Sequence, residues 1–285
     1  MFIVDAHTHM FPPHVREDPS HVEEAEVAFG LMFGHGRSRM SDPETMLVEM
    51  DEAGVDAAAL CPFPWVSLQR CEENNRYLLE VAASRPDRFL PFAVTNPACG
   101  DSAIAVARRS LEAGARGLGE LHTMPQGFDV CDERLMAPLV DLAREFEVPL
   151  MIHVNEPVGH DYPGKGPVTP RVIYRFVQAF PGVKLILPHW GGGLPFYELM
   201  PEVAEACSDV YYDSAASPYL YRSHIYRLAA MAADPHRILF ATDYPLLHYA
   251  RTLANAREGL ADTALEGEIM GSNAARLLGL DIPVS

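Results

Sequence analysis

Short apolar runs rich in β-branched and aromatic residues recur along this chain. Each is followed by a stretch in which apolar positions return every three or four residues, the signature of repeated strand–helix units. The runs are Phe2–His9, Asp56–Phe63, Phe89–Pro97, Ala115–His122, Pro149–Val154, Lys184–Trp190, Val210–Ser217 and Ile238–Pro245. Most are apolar throughout rather than alternating, as strands covered on both faces must be. The helical stretches are Pro43–Ala53, Asn74–Ala83, Ser102–Ala113, Arg134–Phe146, Pro170–Phe180, Pro195–Cys207, Arg222–Ala233 and Tyr249–Gly259. Asp42-Pro43 reads as an N-cap with proline at the first helical position, and Gly54, Gly114 and Gly182 stand where helices should stop. Eight such units predict an α/β fold, a single (β/α)8 TIM barrel.

No linker, low-complexity tract or charge block interrupts the pattern, so one domain over residues 1–285 is expected. Two connections exceed the usual length, Met10 to Ser41 after the first strand and Asn155 to Thr169 after the fifth. In a barrel both leave the face that carries catalytic loops, so they are candidate lids or substrate walls; the alternative is a decorative insertion or an oligomer contact.

The strand ends carry the chemistry. His7 and His9 close the first run, and residues two apart on a strand point the same way, so their imidazoles should converge. His153, His189 and Asp243 close the fifth, sixth and eighth runs. A barrel gathers all its strand ends on one rim, which would make these five residues neighbours and a divalent-metal site. Histidines with a carboxylate suit zinc, manganese or iron better than magnesium or calcium, and zinc is the first choice. Glu120 ends the fourth run and either bridges two ions or orients a ligating histidine, so one or two ions per chain are expected.

Asp243 is the candidate for orienting and deprotonating a water whose pKa the metal has lowered. His189 would polarise a carbonyl, protonate a leaving group or ligate a second ion. His122 lies farther out on the face of Glu120, where it would meet substrate. His160 and Tyr162, with Lys165, would reach the substrate if the second long loop folds over the rim, and Trp190 would pack beside the site or line the pocket. The glycines in Gly191-Gly192-Gly193 either present backbone N–H groups to an anion or make a tight turn that needs positive φ. No phosphate loop, dinucleotide fingerprint or nucleophile elbow is present.

Composition narrows the setting. A net charge of −17, with lysine only at 165 and 184, opposes nucleic acid and anionic lipid as partners and leaves a small molecule. No apolar run reaches membrane-spanning length, and the start of the chain lacks the basic residues and apolar core of a secretory signal, so a cytoplasmic protein is expected. Five widely spaced cysteines suggest neither a disulfide framework nor a thiolate metal site.

These motifs, Asp5-Ala6-His7-Thr8-His9, His153, the His189 turn, Ala241-Thr242-Asp243-Tyr244-Pro245 and the closing Asn273-Ala274-Ala275-Arg276-Leu277-Leu278, resemble the amidohydrolase superfamily, in its amidohydrolase-related (amidohydrolase 2) branch. The resemblance implies a metal held by the paired histidines, His153 and Asp243, and by analogy a homodimer. The expected activity is hydrolysis of an amide, lactone or ester by metal-activated water. The alternative is non-oxidative decarboxylation of a carboxylated aromatic or muconate-like acid, since His189 through Phe196 resembles the corresponding stretch of that branch's decarboxylases. That reading asks for a cation near the substrate, for which Arg16, Arg37 and Arg39 are candidates. A barrel that binds ligand without catalysis is a third reading.

Overall fold

The computed structural model describes residues 1–23, 26–33 and 38–281. Its strands are β1 (Val4–His9), β2 (Ala57–Cys61), β3 (Phe89–Pro91), β4 (Leu118–Leu121), β5 (Leu150–Ile152), β6 (Leu185–Leu187), β7 (Val210–Asp213) and β8 (Ile238–Leu239). All neighbouring strands pair in parallel, β1-β2-β3 in one ladder and β4-β5-β6-β7-β8 in another. Bridges Ala93↔Leu118 and Thr8↔Tyr244 join the two ladders, and the bond from Ala6 N–H to the Phe240 carbonyl (2.9 Å) helps close the ring. The molecule is a (β/α)8 barrel, and each strand lies inside the run that predicts it.

Alternation along β2 explains why these runs carry no polar face. Ala58 and Leu60 join the large cluster that contains helix residues such as Met46 and Leu78. Ala57, Ala59 and Cys61 face the other way, into a smaller cluster of strand residues that includes Val4, Leu90, Met151, Ile186 and Leu239, which is the barrel interior. Helix Pro43–Ala53 starts as its sequence demands, with the Asp42 carboxylate accepting from Thr45 N–H, and ends at Gly54 in the left-handed conformation. Among the described residues no helix is long and apolar enough to cross a membrane.

Two expectations change. The connection after β1 is not a plain loop, since it contains the short helices Pro13–Glu17, Ser20–Glu23 and Val27–Phe33. Its rings Phe11, Phe29 and Phe33 pack on Phe63 and Trp65 beyond β2, fastening the insertion over the barrel mouth. The helix expected over Pro195–Cys207 is a tight, irregular run over His189–Leu199 followed by a helix only at Pro201–Ala206. The connection from Asn155 to Thr169 carries no regular element.

Candidate metal centre

Strand geometry brings the six candidate ligands together. One donor atom from each of His7, His9 and Asp243 lies within 4.8 Å of the others, and the same holds for Glu120, His153 and His189. The two groups adjoin: Glu120 Oε1 is 2.7 Å from His153 Nδ1, while Oε2 lies 3.7 Å from His7 Nε2 and 3.9 Å from His9 Nε2. Asp243 Oδ1 is 3.3 Å from His9 Nε2. His189 and Asp243 reach the axis because the chain turns sharply at the ends of their strands. His189, Ala216 and Asp243 have φ of 58°, 54° and 66°, a conformation that non-glycine residues rarely adopt.

Three of the histidines are aimed by what holds the back of the ring. His7 Nδ1 meets Asp213 Oδ2 at 3.0 Å, His9 Nδ1 meets the Cys61 carbonyl at 3.1 Å, and His189 Nδ1 meets the Ala215 carbonyl at 3.0 Å. Each partner is an acceptor, so each Nδ1 donates and each Nε2 is left facing the centre. The Nε2 atoms of His7 and His9 are only 3.1 Å apart. Two lone pairs at that distance repel unless a cation or proton lies between them.

The charges make the same demand. Burial pushes the His7 imidazolium down, but the carboxylates of Asp213 and Glu120 overcome burial and raise its pKa well above the ordinary value. Burial would raise Glu120, yet the imidazoles of His153 and His7 hold its carboxyl well below the usual range. For Asp243 burial is likewise outweighed, chiefly by the hydrogen bond and charge of His9. A buried nest of ionised carboxylates and back-anchored imidazoles fits a divalent cation.

Asp213 is the functional residue that strand-end reasoning missed. It closes β7 and also accepts from His189 N–H and Ala215 N–H at 3.3 and 2.9 Å, so it orients two of the histidines. Asn155 was missed as well: its Nδ2 donates to His153 Nε2 (3.1 Å) and to the Tyr162 hydroxyl (2.9 Å).

A cavity of about 440 Å³ opens directly above this cluster. His122, His160 and Tyr162 line it. His122 stacks on His153, with centroids 4.0 Å apart, and its Nε2 donates to the Gly164 carbonyl at 2.8 Å. Both long connections supply walls, Leu31, Met32, Phe33 and Ser38 from one and His160, Tyr162, Pro163 and Gly164 from the other.

Of the two places open to Trp190, lining the pocket is the one to correct: it is fully buried and outside the cavity lining, edge-on to Tyr226, with its Nε1 donating to Ser217 Oγ at 3.0 Å. The glycine run makes a tight turn, with φ of 60°, 54°, 62° and 94° at residues 190–193. Lys165 is held by the His160 carbonyl at 2.9 Å. Of the arginines, Arg16 is bonded to the Phe11 carbonyl and Arg39 to Glu49, and neither lines the cavity. Arg37, like His35, lies outside the described residues.

A sequence profile for the family described as amidohydrolase matches residues 4–280. No curated protein matches the chain. Among solved structures, the chain is similar to a 5-carboxyvanillate decarboxylase from Sphingomonas paucimobilis, with a TM-score of 0.79 and 17% identity over 98% of this chain and 99% of that one. It is similar to a 2,6-dihydroxybenzoate decarboxylase from Rhizobium, with a TM-score of 0.73 and 20% identity over 98% of each chain. A dihydroxybenzoic acid decarboxylase from a Polaromonas species, carrying manganese and 2-nitroresorcinol, gives a TM-score of 0.69 and 18% identity over 98% of this chain and 97% of that one. At these identities the likeness is one of fold.

Proposed function

This chain belongs to the amidohydrolase family, and from that premise we propose that it is a metal-dependent, non-oxidative decarboxylase of a small aromatic acid rather than the hydrolase that its sequence first suggests. The observation that carries the reading is the cavity, an enclosure with largely apolar walls that begins directly at the histidine–carboxylate cluster. Loss of CO2 turns a localised carboxylate charge into a neutral product, and a poorly solvated pocket favours that change. Hydrolysis instead needs a supply of water. The fold likeness to three decarboxylases points the same way.

In this reading His7, His9 and Asp243 would hold one divalent ion, with Glu120 beside them. His153 is already satisfied at both ring nitrogens, by Glu120 and Asn155. Manganese is favoured over zinc by likeness to the Polaromonas enzyme. When bound, such an ion supplies the positive charge that holds a substrate carboxylate in place. His189, gripped at Nδ1 by the Ala215 carbonyl, presents Nε2 to the cavity and delivers the proton. The bond between ring carbon and carboxyl breaks, its electron pair stays on the ring carbon, that carbon takes the proton from Nε2, and CO2 leaves. His189 then regains a proton from solvent at the mouth.

Hydrolysis keeps one specific support, because Glu120 belongs to the group with His153 and His189 while its Oε2 turns towards His7 and His9, as a bridge between two ions would. The test is to load the protein with manganese, count metal per chain, and follow hydroxybenzoates for CO2 release by isotope-labelled carboxyl. About one ion per chain, CO2 release, and a loss of about 10²–10⁴-fold in His189→Gln with metal retained are expected. Two ions per chain with cleavage of esters or lactones and no CO2 would replace this reading with the hydrolase.

A further inference from the structure

The cavity is larger and more apolar than one carboxylated ring requires. Its volume of about 440 Å³ falls within the range of sites that enclose drug-sized ligands. The cluster of His9, Glu120, His153, His189 and Asp243 forms one part of the lining, and His122, His160, Tyr162, Tyr219 and Ser38 are its other polar side chains. The rest of the wall includes the apolar side chains of Phe33, Phe63, Met32, Leu220, Leu31 and Leu246. Leu31 and Leu246 are 47% and 40% exposed, and Tyr219 beside them is 50% exposed. Large apolar side chains left in water around a cavity mouth mark a surface meant to be covered by ligand.

Two hydroxyls on this wall are occupied within the chain, whereas His122 Nδ1 is buried there with no hydrogen-bond partner among the described residues. Ser38 Oγ donates to the Met32 carbonyl, and the Tyr162 hydroxyl donates to Glu156. Among the described residues no arginine or lysine lines the cavity. Against the apolar part of this wall a second carboxylate would find, among the described residues, no arginine or lysine to pair with, a costly burial.

We propose that the substrate is an amphipathic monocarboxylate: a hydroxylated aromatic acid whose carboxylate faces the histidine–carboxylate cluster and whose far side carries an uncharged apolar extension, an alkyl chain or a second ring, reaching the mouth at Leu31 and Leu246. The choice of a carboxylate head rests on the decarboxylase reading. The apolar extension rests on the wall alone.

The experiment is calorimetric titration of the manganese-loaded protein with salicylate, 4-hexylsalicylate and 4-carboxysalicylate, each also assayed for CO2. Each methylene buried on the wall tightens binding by about fourfold, so the hexyl compound should bind at least tenfold more tightly than salicylate, and the carboxy compound more weakly than salicylate. Leu31→Gln and Leu246→Gln change exposed positions that the fold does not depend on, and each should lower the hexyl-to-salicylate affinity ratio at least threefold. A ratio near one, a ratio unmoved by both variants, or tighter binding of the dicarboxylate overturns the proposal. Preferential binding of the hexyl compound without CO2 release from any of the acids would uphold the apolar extension and refute decarboxylation. Release of CO2 with equal affinities would do the reverse.

Discussion

His122 shows how burial changes what a side chain contributes. Burial, then the neighbouring His153, pushes its pKa down to about 3. In the unfolded chain the same imidazole protonates near its ordinary value of about 6.5. Between these values the unfolded state binds a proton that the folded state refuses, so folding stability is lost as pH falls through the window, by at most about 1.4 kcal/mol per pH unit. Asp5, pushed up to about 7 by burial, has the opposite slope, since the folded state holds its proton until the pH rises towards 7. His122→Phe keeps a flat ring against His153 and removes one titration. In metal-free protein its thermal midpoint should therefore decline less than that of the parent between pH 6.5 and 5; parallel curves would show that His122 is already solvated. The ligand candidates His7, His9, Glu120, His153, His189 and Asp243 were legible in the sequence because each ends an apolar run. Asp213 was hidden because its run reads on to Ser217, and because its partner His7 is 206 positions away. Two places stayed open for Trp190 because an aromatic residue next to a ligand looks the same in sequence whether its ring turns into the pocket or away from it.

Among the elements, the eight strands were legible because burial on both faces leaves them mostly apolar, with the polar residues confined to β1, β4 and β7. The helices of the first insertion were not, since five, four and seven residues are too few to display a helical period. The turn after β6 was read correctly only as one of two alternatives, since glycines allow positive φ without requiring it. Here the requirement is spatial. A Cβ on Gly192, which has φ +62°, would stand 2.4 Å from the Asn155 carbonyl oxygen. Gly192→Ala should cost about 1–3 kcal/mol by urea denaturation and displace Asn155 from His153. Gly54→Ala is the control, with φ +72° but open space around its Cβ, and should cost only about 1 kcal/mol. Equal losses would mean that the approach to Asn155 is relieved without consequence.

For the whole molecule, the candidate ligands come from the ends of β1, β4, β5, β6 and β8, so they span both strand ladders and the seams that close the barrel. An ion held there ties together parts of the chain more than 200 positions apart. The thermal midpoint should fall on chelation and recover with added manganese, since an ion at about 100 times its Kd stabilises by about 2.7 kcal/mol. A midpoint indifferent to chelator would mean that no ion is held across the seams. The left-handed residues His189, Ala216 and Asp243 stand on the same rim, and each such turn costs about 1–2 kcal/mol that glycine would not incur. At the codon for His189, which holds no ion in the proposed reading, heat tolerance and turnover therefore select in opposite directions. A lineage screened for thermal survival alone would drift towards glycine there and lose its chemistry while its barrel grew sturdier.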